Sequence, residues 1–374
     1  MDWTPSGNDL ATAHIRILEI WFVLETVLRL RQRLPYIAIC LLAAVCISTA
    51  VGYSVPQGEP VTADEDSLIK VDVAVVNVLC TVRDRKGQLV DNLDKASFEI
   101  RENGKVQPIV NFSKDNNLPL TVGVLFDSSI SQERVLPAER DAADLFFRTF
   151  LKPTDAAFLI RFDSQVELLQ DVTGSIQHLR EGLEGIRVHA PPPSSTGPFP
   201  GAGFVGGTHL NDAVFLAAED VLKHEAGRKA LILITDGQDQ GSKVSLDRAI
   251  EAAQRTDAML YSILFYDSAA YGSVYGPAGY SGTAVLGKMA QQTGGRMFRA
   301  DNDEQLRMAF DEISRELRTL YSIGYSPTNT AQDGSYRKID VRVKAGGMRV
   351  QARKGYYAPR PTEEQAKPVP AKAR

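Results

Sequence analysis

The stretch between residues 118 and 318 alternates short apolar runs with longer segments of helical periodicity. The apolar runs have the length of strands and occupy residues 120–126, 156–162, 230–235 and 259–265. The helical segments lie at about 132–150, 209–224, 244–256, 281–293 and 303–318. This alternation predicts a mostly parallel sheet with helices on both faces. The run at 166–170 follows its predecessor after a very short gap, which predicts an antiparallel edge strand.

The segments on either side of this region have the two-residue periodicity of strands. Residues 67–117 contain an alternating run at 71–82 and a hairpin signal, Asn103-Gly104. Residues 319–360 contain further alternating runs, at 321–325, 336–343 and 348–357. Each set is too small to form a stable sheet alone. We therefore expect the two sets to pair into one small antiparallel β-sandwich, with the α/β domain of residues 118–318 inserted between them.

The first fifty residues have the pattern of an export signal. Three arginines precede an apolar run that ends in small residues, which indicates a signal peptide cleaved after Ala50. The alternative is an uncleaved membrane anchor formed by residues 34–52, because the apolar run nearly reaches spanning length. Both interpretations place the rest of the chain in the periplasm or outside the cell. Residues 51–66 are expected to be a linker, and residues 361–374 a disordered tail.

Charge and cysteine content exclude several classes of function. The formal net charge of −4 gives no general attraction to nucleic acid or to an anionic membrane, so membrane contact is expected only through an N-terminal anchor. Two of the three cysteines lie in the export signal, which leaves Cys80 alone in a mature chain. A single thiol forms no internal disulfide and no cysteine metal site. Cys80 lies in an alternating run, so we expect it to be a buried structural thiol.

Oxygen-bearing side chains follow the predicted strands where their carboxyl ends should meet. Asp127, Ser129 and Ser131 come directly after the run at 120–126, and Thr208 and Asp236 occur further along the chain. Asp127 and Asp236 end strands that should be neighbours where the strand order reverses, which is where open α/β sheets bind ligands. Oxygen-only ligand sets suit hard cations such as Mg²⁺, with Mn²⁺ as a substitute. The alternative is that these residues are only capping hydroxyls and a structural aspartate.

The same residues resemble a known family. The segments 126–131, 207–208 and 235–237 resemble the von Willebrand factor A (VWA) domain and its metal-ion-dependent adhesion site (MIDAS), and the resemblance covers roughly residues 118–318. The flanking segments 98–105, 325–328 and 353–357 resemble the VWFA-related acidobacterial domain family. The resemblance implies an α/β fold with a doubly wound, Rossmann-like sheet, inserted here in the small antiparallel β-sandwich.

The resemblance also implies roles for the five residues. Ser129, Ser131 and Thr208 would contact the metal directly or through water, while Asp127 and Asp236 would supply negative charge through water. An open coordination position would accept a carboxylate from a partner protein. In related domains, displacement of the last helix, here about 303–318, is coupled to the metal site.

Two unusual loops should border this site. Residues 188–207 lead into Thr208, and residues 266–282, rich in Tyr, Ser and Gly, leave the end of a strand on the same face. The candidate partner-binding residues are Phe204, His209, Asp239, Tyr266, Tyr271, Tyr275 and Tyr280. Asp239, and Asp163 at the end of the second strand on the same face, could add negative potential to the site. The alternative is a solvated loop with incidental tyrosines, a capping His209, and surface acids at Asp239 and Asp163.

These features favour a non-enzymatic, exported adhesion or protein-interaction module that binds an acidic side chain of a protein partner. The chain contains no GxSxG, HExxH or Walker motif. A Mg²⁺-dependent phosphatase of the haloacid dehalogenase type would need a second aspartate as general acid where Ser129 stands. A third hypothesis is a structural envelope protein with an idle metal site, for which Asp127→Ala would leave every interaction unchanged.

Overall fold

The computed structural model describes residues 75–114, 118–188, 207–265 and 278–360, all within one compact unit, Val71–Arg374. The predicted signal peptide or anchor, the linker and the C-terminal tail lie outside the described residues. Within the described ranges, no helix is long and apolar enough to cross a membrane. The first strands are β1 (Val76–Arg83), β2 (Phe98–Glu102), β3 (Lys105–Gln107) and β4 (Ile109–Ser113).

A six-stranded sheet follows. Its strands are β5 (Leu120–Asp127), β6 (Ala156–Phe162), β7 (Val166–Thr173), β8 (Arg228–Thr235), β9 (Ala258–Phe265) and β10 (Met297–Ala300). They are ordered β10-β9-β8-β5-β6-β7, and all neighbours are parallel except β6 and β7. The parallel arrangement and the antiparallel edge strand agree with the sequence. The short strand β10 was not predicted, because four residues do not make a recognisable apolar run.

Helices cover both faces of this sheet. They are α1 (Leu136–Phe150), α2 (Ile176–Glu184), α3 (Leu210–Leu216), α4 (Leu246–Arg255), α5 (Ala278–Thr293) and α6 (Asp303–Arg318). One core joins the sheet to α1, α2 and α6, where Phe146 stacks on Phe150 and contacts Phe310. A second core joins the opposite face to α3, α4 and α5. Helix α2 was not predicted, although Ser175 caps its first turn.

The chain returns to the first strands after α6. The last strands are β11 (Tyr321–Tyr325), β12 (Tyr336–Val343), β13 (Arg349–Ala352) and β14 (Gly355–Tyr357). They complete two antiparallel sheets with the orders β13-β1-β11-β4 and β14-β12-β2-β3. A shared core that includes Cys80, Ile100, Ile323 and Val341 lies between these sheets. The observed architecture confirms the expected fold class, a doubly wound α/β sheet inserted in a small β-sandwich.

The alternating run at 348–357 is not one strand. It divides into β13 and β14, which belong to different sheets of the sandwich. The break falls at Arg353, whose guanidinium pairs with Asp257 and donates to the carbonyl of Asn77. The backbone N–H of Lys354 then donates to the carbonyl of Gln292. The contacts with Asp257 and Gln292 attach the break to the α/β domain, and the contact with Asn77 attaches it to β1. A two-residue pattern does not report such contacts.

A buried ion cluster also joins the sandwich to the α/β domain. Glu316 of α6 has no exposed side-chain surface, and its carboxylate lies 2.7 Å from Arg83 of β1 and 2.9 Å from Arg296. Helix α6 passes into β11 after only two residues, and β11 is hydrogen-bonded on both sides, to β1 and β4. The C-terminal end of α6 is therefore held by the sandwich.

Candidate metal centre

The candidate site lies where the strand order of the large sheet reverses. The first strand of this sheet, β5, has β6 on one side and β8 on the other, and both neighbours are parallel to it. Asp127 ends β5, and Asp236 follows the last residue of β8. The register pairs Phe126 with Ile234, which brings both acids to the same edge of the sheet. This position agrees with the site predicted from the sequence.

Hydrogen bonds join the DxSxS loop to Asp236. The hydroxyl oxygens of Ser129 and Ser131 are 3.0 Å apart, and Ser131 donates to Asp236 Oδ2 over 3.0 Å. The backbone N–H of Ser129 donates to Asp127 Oδ1 at 3.0 Å. The structure therefore brings Asp127, Ser129, Ser131 and Asp236 together, although they lie up to 109 residues apart in the chain.

Asp127 is fully buried, and its second carboxylate oxygen accepts a hydrogen bond from Thr235 Oγ1 at 2.5 Å. Burial and, secondarily, the negative charge of Asp236 raise the pKa of Asp127 to about 7. Burial also raises the pKa of Asp236. Two carboxylates with raised pKa values form a site that a cation would stabilise by neutralising their charge. Thr235 was not predicted as a site residue, since its hydroxyl faces Asp127 only after β8 pairs with β5.

Thr208 reaches the same edge through its backbone. Its N–H donates to the carbonyl of Gln240 at 3.0 Å, and its carbonyl accepts from the N–H of Gln240 at 2.9 Å. The next residue, His209, donates its N–H to the carbonyl of Asp163 at 2.7 Å. The sequence predicted that Thr208 opens a helix, but α3 begins two residues later, at Leu210. Thr208 is fixed instead by its pairing with the loop that follows Asp236.

Two candidate partner-binding residues have local contacts. Asp239 Oδ1 accepts from the N–H of Asn211 at 3.1 Å and from Ser242 Oγ at 2.6 Å, so this carboxylate caps α3. His209 Nδ1 lies 3.7 Å from Asp212 Oδ2. Phe204, Tyr266, Tyr271 and Tyr275 lie outside the described residues, as does the side chain of Tyr280. The proposed contact of these residues with a partner stays a prediction.

Phe265 and Gly282, which stand before and after the segment 266–277 in the chain, lie near Asp236. Gln132 links Phe265 to Asp236 through its amide, which is fully buried and lies between the carbonyl of Phe265 and the N–H of Asp236. Its oxygen accepts from the N–H of Asp236 and its nitrogen donates to the carbonyl of Phe265, each at 3.2 Å. Gly282, in the second turn of α5, packs so closely on Asp236 that an added Cβ would stand 2.5 Å from the carbonyl oxygen of Asp236. The end of β9 and the second turn of α5 therefore lie beside the site.

A third acid behind the site was missed by the sequence analysis. Glu139 of α1 is fully buried, and neither of its carboxylate oxygens has a hydrogen-bond partner among the described residues. Burial and, secondarily, Asp127 raise its pKa well above the usual range. The sequence carries a signal for this burial, because Glu139 occupies the apolar stripe of α1 with Leu136, Ala143, Phe146 and Phe150.

The donor set suits a hard divalent cation. Two carboxylates and two hydroxyls converge at one edge of the sheet, and Thr208 is held by its backbone pairing with Gln240, in the loop that follows Asp236. Within the described part of the chain, no group of three or more His, Cys, Asp or Glu side chains forms a metal site. A cation here would therefore depend on hydroxyl and water oxygens as well as carboxylates, which is the chemistry of Mg²⁺ and Mn²⁺.

Comparison with protein families decides the classification. Two family models described as the von Willebrand factor type A domain match residues 124–238 and 204–349. Together they span more than half of the chain, and the first contains all five positions of the motif. The chain is a VWA domain protein. Domains of this family bind a divalent metal at the MIDAS motif. Among curated proteins, no relative matches the chain.

Three solved structures illustrate what this VWA protein is similar to. Proximal thread matrix protein 1 from the mussel byssus, with a zinc-occupied MIDAS motif, is 14% identical with a TM-score of 0.43, over 57% of this chain and 48% of its own. The vWF domain of the type V pili tip protein Mfa5 from Porphyromonas gingivalis is 12% identical, with a TM-score of 0.40. The match covers 53% of this chain and 94% of the Mfa5 domain. The conserved hypothetical protein BatB from Bacteroides thetaiotaomicron is 17% identical, with a TM-score of 0.38. The match covers 54% of this chain and 97% of BatB. This chain spans about half the length of the mussel protein.

Proposed function

We propose that this VWA protein is an exported adhesion or protein-interaction module that binds an acidic side chain of a partner through Mg²⁺ or Mn²⁺. The observation that carries the proposal is the hydrogen-bonded cluster of Asp127, Ser129, Ser131 and Asp236 at the switch point of the sheet. The export signal predicted in the first fifty residues supports a location in the periplasm or outside the cell.

Asp127, Ser129, Ser131, Thr208 and Asp236 would hold the cation. The cation would supply positive charge to two carboxylates whose pKa values burial raises, and it would offer an open position to an incoming carboxylate. Hydrogen bonds from neighbouring residues hold the carboxylates of Asp127 and Asp236 in place. Thr235 and the N–H of Ser129 orient Asp127, while Ser131 and the N–H of Gln238 orient Asp236.

The side chains at the site favour binding over catalysis. Ser129 occupies the position where a haloacid dehalogenase phosphatase places its general acid, and its hydroxyl is hydrogen-bonded to Ser131. A serine hydroxyl has no pKa near neutrality and does not protonate a leaving group efficiently. Asp127 accepts hydrogen bonds on both carboxylate oxygens, which opposes a role as a free nucleophile. The proposed role is therefore capture of a partner, without turnover.

The test is metal-dependent capture of envelope proteins on immobilised protein. Wild type, Asp127→Ala and Asp171→Ala would be compared in Mg²⁺ and in chelator, because Asp171 is an exposed acid on β7, away from the site. We expect the same proteins to be retained by wild type and Asp171→Ala in Mg²⁺, and to be lost in chelator or with Asp127→Ala. Retention that is independent of both the metal and Asp127 would favour the structural envelope protein. Hydrolysis of a phosphate ester that Asp127→Ala abolishes would favour the phosphatase.

A further inference from the structure

We propose that Asp163 is a positioning residue of the cation site, which holds the DxSxS loop and the Thr208 loop in register without binding the cation. This inference rests on the proposed metal-dependent function. The sequence left open whether Asp163 adds negative potential at the site or is a surface acid. The structure supports a different role, because Asp163 is buried and its carboxylate and carbonyl each contact one of the two loops.

The carboxylate of Asp163 holds the DxSxS loop. Asp163 follows the last residue of β6, the strand beside β5, so it stands next to the loop that leaves β5. Ser128 Oγ donates to Asp163 Oδ2 at 3.1 Å, and the N–H of Ser128 donates to the carbonyl of Phe162 at 2.8 Å. Ser128 stands between Asp127 and Ser129, so its two bonds fix the backbone on both sides.

The backbone carbonyl of Asp163 holds the second loop. It accepts from the N–H of His209 at 2.7 Å, and the preceding residue, Thr208, exchanges two backbone hydrogen bonds with Gln240. Thr208 is thus fixed between the turn at Asp163 and the loop that follows Asp236. A displacement of Asp163 would move Ser128 and His209 together, and with them the oxygens on either side.

The contacts of the carboxylate argue against a role as a ligand or as a source of negative charge. Asp163 Oδ2 lies 3.1 Å from Arg161 Nη1, and Arg161 is itself buried and also pairs with Glu167. Asp163 Oδ1 accepts from the N–H of Gln165 at 2.9 Å and from Ser164 Oγ at 3.3 Å. Each oxygen accepts at least two hydrogen bonds, and an arginine compensates the charge. The remaining role is geometric.

Two serines offer a matched pair of variants. Ser128→Ala and Ser164→Ala each delete one hydroxyl that donates to the carboxylate of Asp163, but only Ser128 lies in the DxSxS loop. Outer partners of metal ligands typically contribute about 10-fold or more to metal affinity. We therefore expect Ser128→Ala to weaken Mn²⁺ binding about 10-fold, and Ser164→Ala to change it less than about 2-fold. Urea unfolding in chelator should show that Ser128→Ala is folded, although the loss of its buried hydroxyl, which also lies 3.3 Å from the carbonyl of Phe162, should make it less stable than Ser164→Ala, whose serine is exposed.

Substitution of Asp163 itself adds a rescue test. The side chain of Asp163→Asn keeps an oxygen that can accept from the N–H of Gln165, and it places an amide group beside the hydroxyl of Ser128. Because these contacts are partly retained, Asp163→Asn should bind Mn²⁺ more tightly than Asp163→Ala. Equal Mn²⁺ affinity of wild type, Ser128→Ala and Ser164→Ala would overturn the positioning role while leaving the proposed function intact. Failure of the wild-type protein to bind Mn²⁺ would instead overturn the proposed function and the positioning role together.

Discussion

The pH dependence of the metal-free protein should reveal the burial of the Asp127 carboxylate beside the negative charge of Asp236. Asp127 has a pKa of about 7 in the folded state against 3.8 in an unfolded chain, so the folded state binds its proton more tightly. The resulting contribution to stability is fully present below pH 4 and is lost as the pH rises through 7. For one group with these pKa values, the free energy of unfolding should fall by about 2–3 kcal/mol between pH 5 and pH 7.5.

The perturbation is Asp127→Asn, which keeps the shape of the side chain and removes the titration. Urea unfolding in chelator at several pH values between 5 and 7.5 measures the free energy of unfolding of both proteins. We expect the wild-type protein to lose about 2–3 kcal/mol more than Asp127→Asn across this range. Saturating Mg²⁺ should stabilise the wild-type protein at pH 7.5, by about 2.7 kcal/mol at one hundred times the Kd. Parallel pH profiles of the two proteins in chelator would refute the reasoning.

Three other substitutions test neighbouring parts of the structure. Gly282→Ala should weaken Mn²⁺ binding by calorimetry, because its Cβ would meet the carbonyl of Asp236 at 2.5 Å, whereas Gly287→Ala on the same helix has nothing within 4 Å and should bind normally. Glu316→Ala should lower the free energy of unfolding in urea by about 3 kcal/mol, because it removes the buried carboxylate that Arg83 and Arg296 share. Glu312 pairs with the same two arginines but is partly exposed, so Glu312→Ala should cost less than about 1 kcal/mol. Tyr356→Phe removes the hydroxyl that donates to the buried carboxylate of Glu102 at 2.9 Å, so it should lower the free energy of unfolding by about 1–2 kcal/mol. The neighbouring Tyr357→Phe should lower it by less than about 0.5 kcal/mol. Equal effects within any of these pairs would contradict the corresponding assignment.

The sequence predicted those elements of the fold whose residues follow a recognisable pattern within a few neighbouring positions. The buried strands of the large sheet have apolar runs, and the Asn103-Gly104 turn has positive φ at both residues, as a two-residue hairpin requires. The strand β10 and the division at Arg353 have no such pattern. β10 is a short edge strand, and the division depends on an ion pair with Asp257, 96 residues away in the chain.

The same distinction holds at the site. Asp127, Ser129 and Ser131 have a fixed local spacing, and the reversal of strand order predicted that Asp236 would join them. Thr235, Gln132 and Glu139 belong to the surroundings of the site, and their roles depend on which strand or helix packs against them. Asp163 was noticed as a strand-end acid, but its part in holding two loops became visible only with β6 beside β5 and His209 within hydrogen-bond distance.

The most direct test of the central claim is calorimetric titration of Mg²⁺ and Mn²⁺ into the purified protein, beside Asp127→Ala and the control Asp171→Ala. The proposed cation site predicts saturable binding of one ion by wild type and by Asp171→Ala, and no binding by Asp127→Ala. Absence of binding in all three proteins, or equal binding in all three, would contradict a cation site formed by Asp127, Ser129, Ser131, Thr208 and Asp236.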